Sequence, residues 1–232
     1  MTLRVALIAL GVLHGVSAKA QALQCRVPSQ IAAPALPRPD GPRRVLPISG
    51  YTLALTWSPE YCRARRDRPA NALQCGGQMG RFGFVLHGLW PESTPGTWPQ
   101  WCAITPVPAP AVRGALCLTP STDLIAHEWA KHGSCMARSP GGYFRAGGAL
   151  VQSLRFPDMA RLSRQPGLTA GDLRRALIRG TASLRPGMIR IKANPRGWLE
   201  EMHICYGKDF MPAPCMDRGA DDGEALKIWR GA

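Results

Sequence analysis

The sequence predicts a single α+β domain braced by disulfides, and three observations carry that expectation. Strand-like and helix-like segments are mixed along the chain without the regular alternation of a doubly wound sheet. No internal repeat is visible, and no linker separates two hydrophobic cores. Eight cysteines, at positions 25, 62, 75, 102, 117, 135, 205 and 215, all lie beyond an N-terminal segment patterned for export. An even number of cysteines in an exported chain argues for a full set of disulfides, although spacing alone leaves the pairing open. The 232 residues suit one domain of ordinary size, and a hydrophobic content of 45% suits a substantial core.

The chain begins with the three parts of a signal peptide. Arg4 supplies positive charge, residues 5–16 are apolar except for His14, and Ala18-Lys19-Ala20 is a small-residue cleavage site, with Ala20-Gln21-Ala22 as the second choice. Residues 1–20 are therefore expected to be removed, possible cleavage after residue 22 being the alternative. The apolar run is too short to span a bilayer and no other stretch is long enough, so no stable membrane association is expected. Residues 21–50 form a proline-rich arm: six prolines between Cys25 and Gly50 leave little periodicity and no core-building pattern. Residues 51–232 are the expected folded domain.

Within it, residues 51–57 alternate large and small side chains as a half-buried strand does, and Ser58-Pro59 ends the run. Cys62 and Cys75 enclose an arginine-rich loop short enough for a local disulfide. Residues 82–91 are apolar on both sides, which suits a central strand that Pro91 stops. His87 near its end is, taken alone, more simply a core imidazole, and Gly88 permits close approach of another chain or a ligand. Residues 92–120, with prolines at 95, 99, 106, 108, 110 and 120, read as loop. Trp90, Trp98 and Trp101 cluster around it, to pack on prolines or to stack on bases. Ser121 or Thr122 can cap a helix reaching His132, Asp123 suits its first turn, and Gly133 is a natural stop. Residues 139–156 read as a second helix with Tyr143, Phe144, Leu150, Val151 and Leu154 on its apolar face. Residues 169–179 read as a third, capped by Thr169 and closed by Gly180. Residues 188–192 and 198–206 read as strands, with His203 in a structural role and Cys215 near enough to Cys205 to staple the following loop.

A net charge of +14 and a pI near 10.1 favour a polyanionic partner. The densest chemistry is His-Glu-Trp-Ala-Lys-His-Gly-Ser-Cys at 127–135. On a helix, His127, Lys131, Glu128 and His132 share a face roughly 140° wide. Two bases, an acid and a cation can move protons beside a negative charge, while the bland alternative is a solvated helix end. The two histidines stand at i and i+5, about 140° apart, which fits one metal poorly compared with the i, i+4 pair of a zinc hydrolase. No Cys-x-x-Cys pair is present to support a zinc-ribbon or thioredoxin-like reading.

Phe-Val-Leu-His-Gly-Leu-Trp-Pro at 84–91 and the 127–135 segment together resemble the two active-site signatures of the ribonuclease T2 family, with further likeness at 53–57 and 201–206. The chain looks like a bacterial, periplasmic member. The resemblance implies a central, mainly antiparallel sheet flanked by helices. It implies catalytic roles for His87, Glu128, Lys131 and His132, substrate phosphate binding by His127, and base stacking by Trp90 and, more distantly, Trp98. Glu92 stands where some members have a base-contacting aspartate, and no role is assigned to it. The implied disulfides are Cys102–Cys135, Cys205–Cys215 and Cys62–Cys75, which leaves Cys25 with Cys117.

The implied activity is metal-independent cleavage of single-stranded RNA. The 2′-hydroxyl attacks the adjacent phosphodiester, giving a 2′,3′-cyclic phosphate and then a 3′-phosphate. His132 would act as general base and His87 as general acid. No cofactor and no DNA cleavage are expected, and the protein should be a periplasmic or secreted monomer. The rival readings are a catalytically silent RNA-binding relative and a metal-dependent hydrolase.

Overall fold

A computed structural model describes residues 25–93 and 96–231, so the expected signal peptide lies outside the described residues. Four strands form one sheet in the order β2-β1-β4-β3, every neighbouring pair antiparallel. They are β1 (Gly50–Trp57), β2 (Phe84–Glu92), β3 (Ile189–Ala193) and β4 (Leu199–Gly207). Helices α1 (Ser58–Cys62) and α2 (Ala72–Cys75) lie between β1 and β2. Helices α3 (Ala109–Ala115), α4 (Thr122–Lys131), α5 (Pro140–Ser153), α6 (Met159–Leu162) and α7 (Ala170–Gly180) lie between β2 and β3. The α+β class and the antiparallel sheet therefore stand as expected. Among the described residues no helix is long and apolar enough to cross a membrane.

β2 is an edge strand, not a central one. It reads as central because a loop closes its outer side: the Leu86 N–H donates to the Leu118 carbonyl at 2.8 Å, and the Thr119 hydroxyl donates to the Leu86 carbonyl at 2.8 Å. Pro91 lies inside the strand, opposite Tyr51, as the one-sided pairing of an edge allows. The ladder steps from Ala54 opposite Gly88 to Leu55 opposite Leu86, which leaves His87 as the extra residue of a bulge.

Residues 92–120 are not all loop, because α3 lies within them. Its Pro110 sits in the first turn, where a missing N–H costs nothing. Ser121 caps α4 by accepting from the Leu124 N–H at 3.2 Å. α4 ends at Lys131, and the chain turns through His132 into a 3₁₀ turn, Gly133–Cys135. The α-helix thus stops just before Gly133, as expected, although Gly133 does not take the left-handed conformation of a helix-ending glycine. The lack of a side chain at Gly133 makes room for the rings of Trp129 and Tyr143, which a Cβ would meet at 2.7 and 2.8 Å. α5 approaches the sheet through Gly147, where a Cβ would lie 2.9 Å from Leu86.

The disulfides are Cys25–Cys117, Cys62–Cys75, Cys102–Cys135 and Cys205–Cys215. Cys102–Cys135 joins residues 33 apart in sequence, and on a chain-entropy model that constraint stabilises the fold by about 3–4 kcal/mol. The arm is less detached than its composition suggests. Val27 and Ile31 pack against the core, and Arg44 and Gln100 exchange backbone hydrogen bonds at 2.9 Å.

Candidate active site

The bulge on β2, the last turns of α4 and the middle of β4 meet around the indole of Trp90. His87 presents both ring nitrogens to carboxylates: Nδ1 lies 2.8 Å from Glu201 Oε1 on β4, and Nε2 lies 3.6 Å from Glu128 Oε1 on α4. The Trp90 N–H donates to the other Glu128 oxygen at 2.9 Å. The Trp90 ring lies edge-on to His87 and His203 and tilted against His132, with centroids 5.2, 5.2 and 5.6 Å away. One indole thus sits among three imidazoles and fixes the carboxylate between α4 and β2.

Gly88 makes this possible. A Cβ there would collide with the Glu128 carboxylate and stand 2.6 Å from Trp90 Nε1. The close approach anticipated at Gly88 is therefore that of Glu128 itself.

The four polar groups of the α4 signature occupy different environments. Glu128 and His132 are buried, while His127 and Lys131 are partly exposed. Lys131 Nζ donates to Asp40 Oδ2 at 2.6 Å, and the Trp101 N–H donates to Asp40 Oδ1 at 3.0 Å. His127 lies edge-on to Trp101, centroids 5.3 Å apart. The Trp101 backbone has φ of 55°, a left-handed conformation rare for a bulky residue. It is held by a hydrogen bond from its N–H to the Lys131 carbonyl at 2.8 Å and by the neighbouring Cys102–Cys135 bridge.

These surroundings set the protonation states apart. Burial opposes charge on His87, but the Glu201 hydrogen bond and the charges of Glu128 and Glu201 outweigh it and raise its pKa. Burial pushes His132 down to about 3, helped by the positive charges of Lys131, His127 and His87. Its Nδ1 is buried with no hydrogen-bond partner among the described residues. Burial raises Glu128 to about 7, against the pull of His87, the Trp90 N–H and Lys131. Burial and then the Lys131 charge lower His127. Glu201 works against its own burial: hydrogen bonds from His203, His87 and Lys192 keep it ionised well below the usual carboxylate range. Lys131 likewise holds Asp40 low.

His87, Glu128, His132 and Trp90 are thus in one cluster, with His127 and Lys131 beside it around Trp101. Trp98 is placed differently. Its indole is 40% exposed, donates to Gln100 Oε1 at 3.0 Å and lies under the Arg44 guanidinium, 4.9 Å from the ring centroid. Glu92, partly buried, accepts from the Thr52 hydroxyl at 2.9 Å. Among the described residues no group of three or more His, Cys, Asp and Glu side chains is arranged to hold a metal ion.

Two participants escaped the sequence reading. Glu201 is 114 residues from His87 and only strand pairing brings them together; its one signal was membership of the 201–206 likeness. Asp40 lies in an arm with no periodicity, 91 residues before Lys131.

A model of the ribonuclease T2 family matches residues 49–172, which leaves Asp40 outside the match. A ribonuclease of Aeromonas hydrophila is 32% identical over 176 residues, 72% of this chain and 76% of that protein. A probable ribonuclease of Haemophilus influenzae is 29% identical over 184 residues, 74% of this chain but only 62% of the relative's own length. The solved structure of RNase NT in complex with 5′-AMP superposes with a TM-score of 0.61 at 20% identity, covering 78% of this chain and 98% of that one, a likeness of fold.

Proposed function

Because this chain belongs to the ribonuclease T2 family, we propose that it cleaves single-stranded RNA by attack of the 2′-hydroxyl on the adjacent phosphodiester, with no metal ion taking part. One observation carries the mechanism: His87 and His132 both lie against the Trp90 ring, 5.2 and 5.6 Å from its centroid, in surroundings that shift their pKa values in opposite directions. His132, kept neutral by burial and by neighbouring cations, is the general base. His87, favoured as a cation chiefly by its hydrogen bond to the Glu201 carboxylate, is the general acid.

His132 takes the 2′-hydroxyl proton as the O2′–P bond forms. The P–O5′ bond breaks and His87 delivers its proton to the departing O5′, leaving a 2′,3′-cyclic phosphate and a 5′-hydroxyl. The pair is then in the reverse protonation state, ready to activate water and return the cyclic ester to a 3′-phosphate. Lys131 supplies positive charge to the crowded phosphorane and exchanges its Asp40 partner for the phosphoryl oxygens. His127 donates a hydrogen bond to phosphate. Glu128, buried and held near neutrality, hydrogen-bonds to the transition state and keeps His87 in place. Trp90 fixes Glu128 through its N–H and offers its ring to a base, and exposed Trp98 offers a second stacking surface at the rim. Export to an oxidising compartment is part of this reading, since four disulfides are stable there.

The test is substitution of each histidine. His87→Ala and His132→Ala should each lower RNA cleavage by about 10²–10⁴-fold or more while circular dichroism stays native. A folded His132→Ala protein with near-normal turnover contradicts the assignment. A wild-type protein that binds RNA and cleaves none of it would make the chain a silent relative.

A further inference from the structure

A cavity of about 620 Å³ opens beside the general acid, with His87, Lys192, Arg63, Arg65 and Arg196 in its wall. A second cavity, of about 490 Å³, is walled by Arg63, Arg66, Arg81 and Arg230. Arg63 lines both, so the two lie side by side, the second farther from His87, and their basic walls form a trough-like track across the Arg63 side chain. We propose that this trough binds the backbone phosphates of the RNA strand on the 3′ side of the scissile bond, beyond the nucleotides that react.

The carboxylates along the trough do not cancel its charge. Glu201 is already engaged by His87, His203 and Lys192, and Glu60 by Arg63 at 3.5 Å and Asn194 at 3.2 Å. Glu200 and Asp67 remain as the other acids of the two walls. Among the described residues Arg66, Arg81 and Arg230 form no ion pair, so their charges are free for an anion. Arg63 is steadied between the rings of Trp198 and Trp229, 4.7 and 4.3 Å from their centroids. Arg65 is steadied on Tyr61, whose ring centroid is 4.5 Å away and whose carbonyl it reaches at 2.9 Å. The Cys62–Cys75 bridge closes the loop that carries Arg63, Arg65 and Arg66, so these cations are presented on a constrained backbone. Planar guanidinium groups suit phosphate, and a row of them follows a polyanion without reading its bases.

The polarity follows from the chemistry. His87 protonates O5′ of the departing nucleotide, so the strand attached to that nucleotide leaves past His87 and into the trough. This step rests on the general-acid reading of His87, and the experiment separates the two.

Chimeric oligonucleotides with one ribonucleotide in a deoxyribonucleotide chain fix the cleaved bond. Three are compared on the full protein: a dinucleotide, one extended by several residues on the 3′ side, and one extended equally on the 5′ side. The 3′ extension should raise kcat/KM at low salt by about tenfold or more, and the gain should fall with added salt. In the combined variant Arg66→Ala, Arg81→Ala, Arg230→Ala the 3′ gain should disappear and the salt slope should flatten by about 2, near 0.7 for each lost single-strand contact. Dinucleotide cleavage should be unchanged, which also reports that the variant is folded. An equal gain from the 5′ extension, a 3′ gain that survives the substitutions, or loss of dinucleotide cleavage in the variant overturns the trough. A wild-type protein inactive on the dinucleotide and on both extensions overturns the catalytic reading beneath it.

Discussion

At His87 the Glu201 hydrogen bond leads the interactions that outweigh burial, and at His132 burial and neighbouring positive charge, Lys131 first, act in the same direction. Catalysis needs His132 without its proton and His87 with one. Activity should therefore fall in acid as pH drops through the His132 value of about 3. It should fall in alkali as pH rises through the His87 value, which lies above the ordinary 6.5. The optimum should be weakly acidic. Glu201 sets the second limit, because its anion stabilises the His87 imidazolium. Glu201→Gln keeps a hydrogen-bonding side chain but removes the charge, so the pKa of His87 falls and the alkaline limb of log kcat against pH moves to lower pH. The acid limb, governed by His132, stays. A merely structural role for Glu201 would lower the rate without moving the alkaline limb. Much at this scale was legible: the α4 spacing put His127, Glu128, Lys131 and His132 on one face, and likeness to a family paired them with His87. Glu201 and Asp40 were not legible, because each reaches its partner through tertiary contact alone.

The elements that carry these residues meet at glycines and a bulge. The bulge at His87 interrupts the β1–β2 ladder, and Gly88 beside it admits the Glu128 carboxylate between strand and helix. Gly88→Ala should push Glu128 off the Trp90 N–H, cutting turnover by about 10²-fold, as misplacement of about 1 Å does. Gly147→Ala is the control. Its Cβ would press on Leu86, 2.9 Å away and outside the catalytic cluster, so it should lower the melting temperature with turnover largely kept. Melting curves and steady-state rates on both proteins decide the matter, and equal rate losses would argue that Gly88 has no special relation to Glu128. The bulge could not be read from residues 84–91, because register belongs to a pair of strands. The edge position was hidden by the Leu118–Thr119 loop, which bonds the outer side of β2 as a neighbouring strand would. α3 was hidden by Pro110, a loop signal that is equally at home in a helix's first turn.

Across the whole molecule, the arm is tied to the body by Cys25–Cys117 and delivers Asp40 to Lys131. The sheet brings Glu201 under His87, and the basic surface extends from the site along the Cys62–Cys75 loop. Fold class was legible at this scale, because strand and helix patterns were strong and no βαβ rhythm competed with them. The arm's contribution was not, since nothing periodic in residues 25–50 signals where it docks. The central claim is that the substrate's own 2′-hydroxyl is the nucleophile and that His132 and His87 carry the protons. End-group analysis on one short RNA, beside the same strand with a single 2′-deoxynucleotide at the cleaved position, tests it most directly. The account predicts a 2′,3′-cyclic phosphate that slowly becomes a 3′-phosphate, a 5′-hydroxyl on the other fragment, and no cleavage at the deoxy position. Cleavage at the deoxy position, or a 5′-phosphate end, would contradict it.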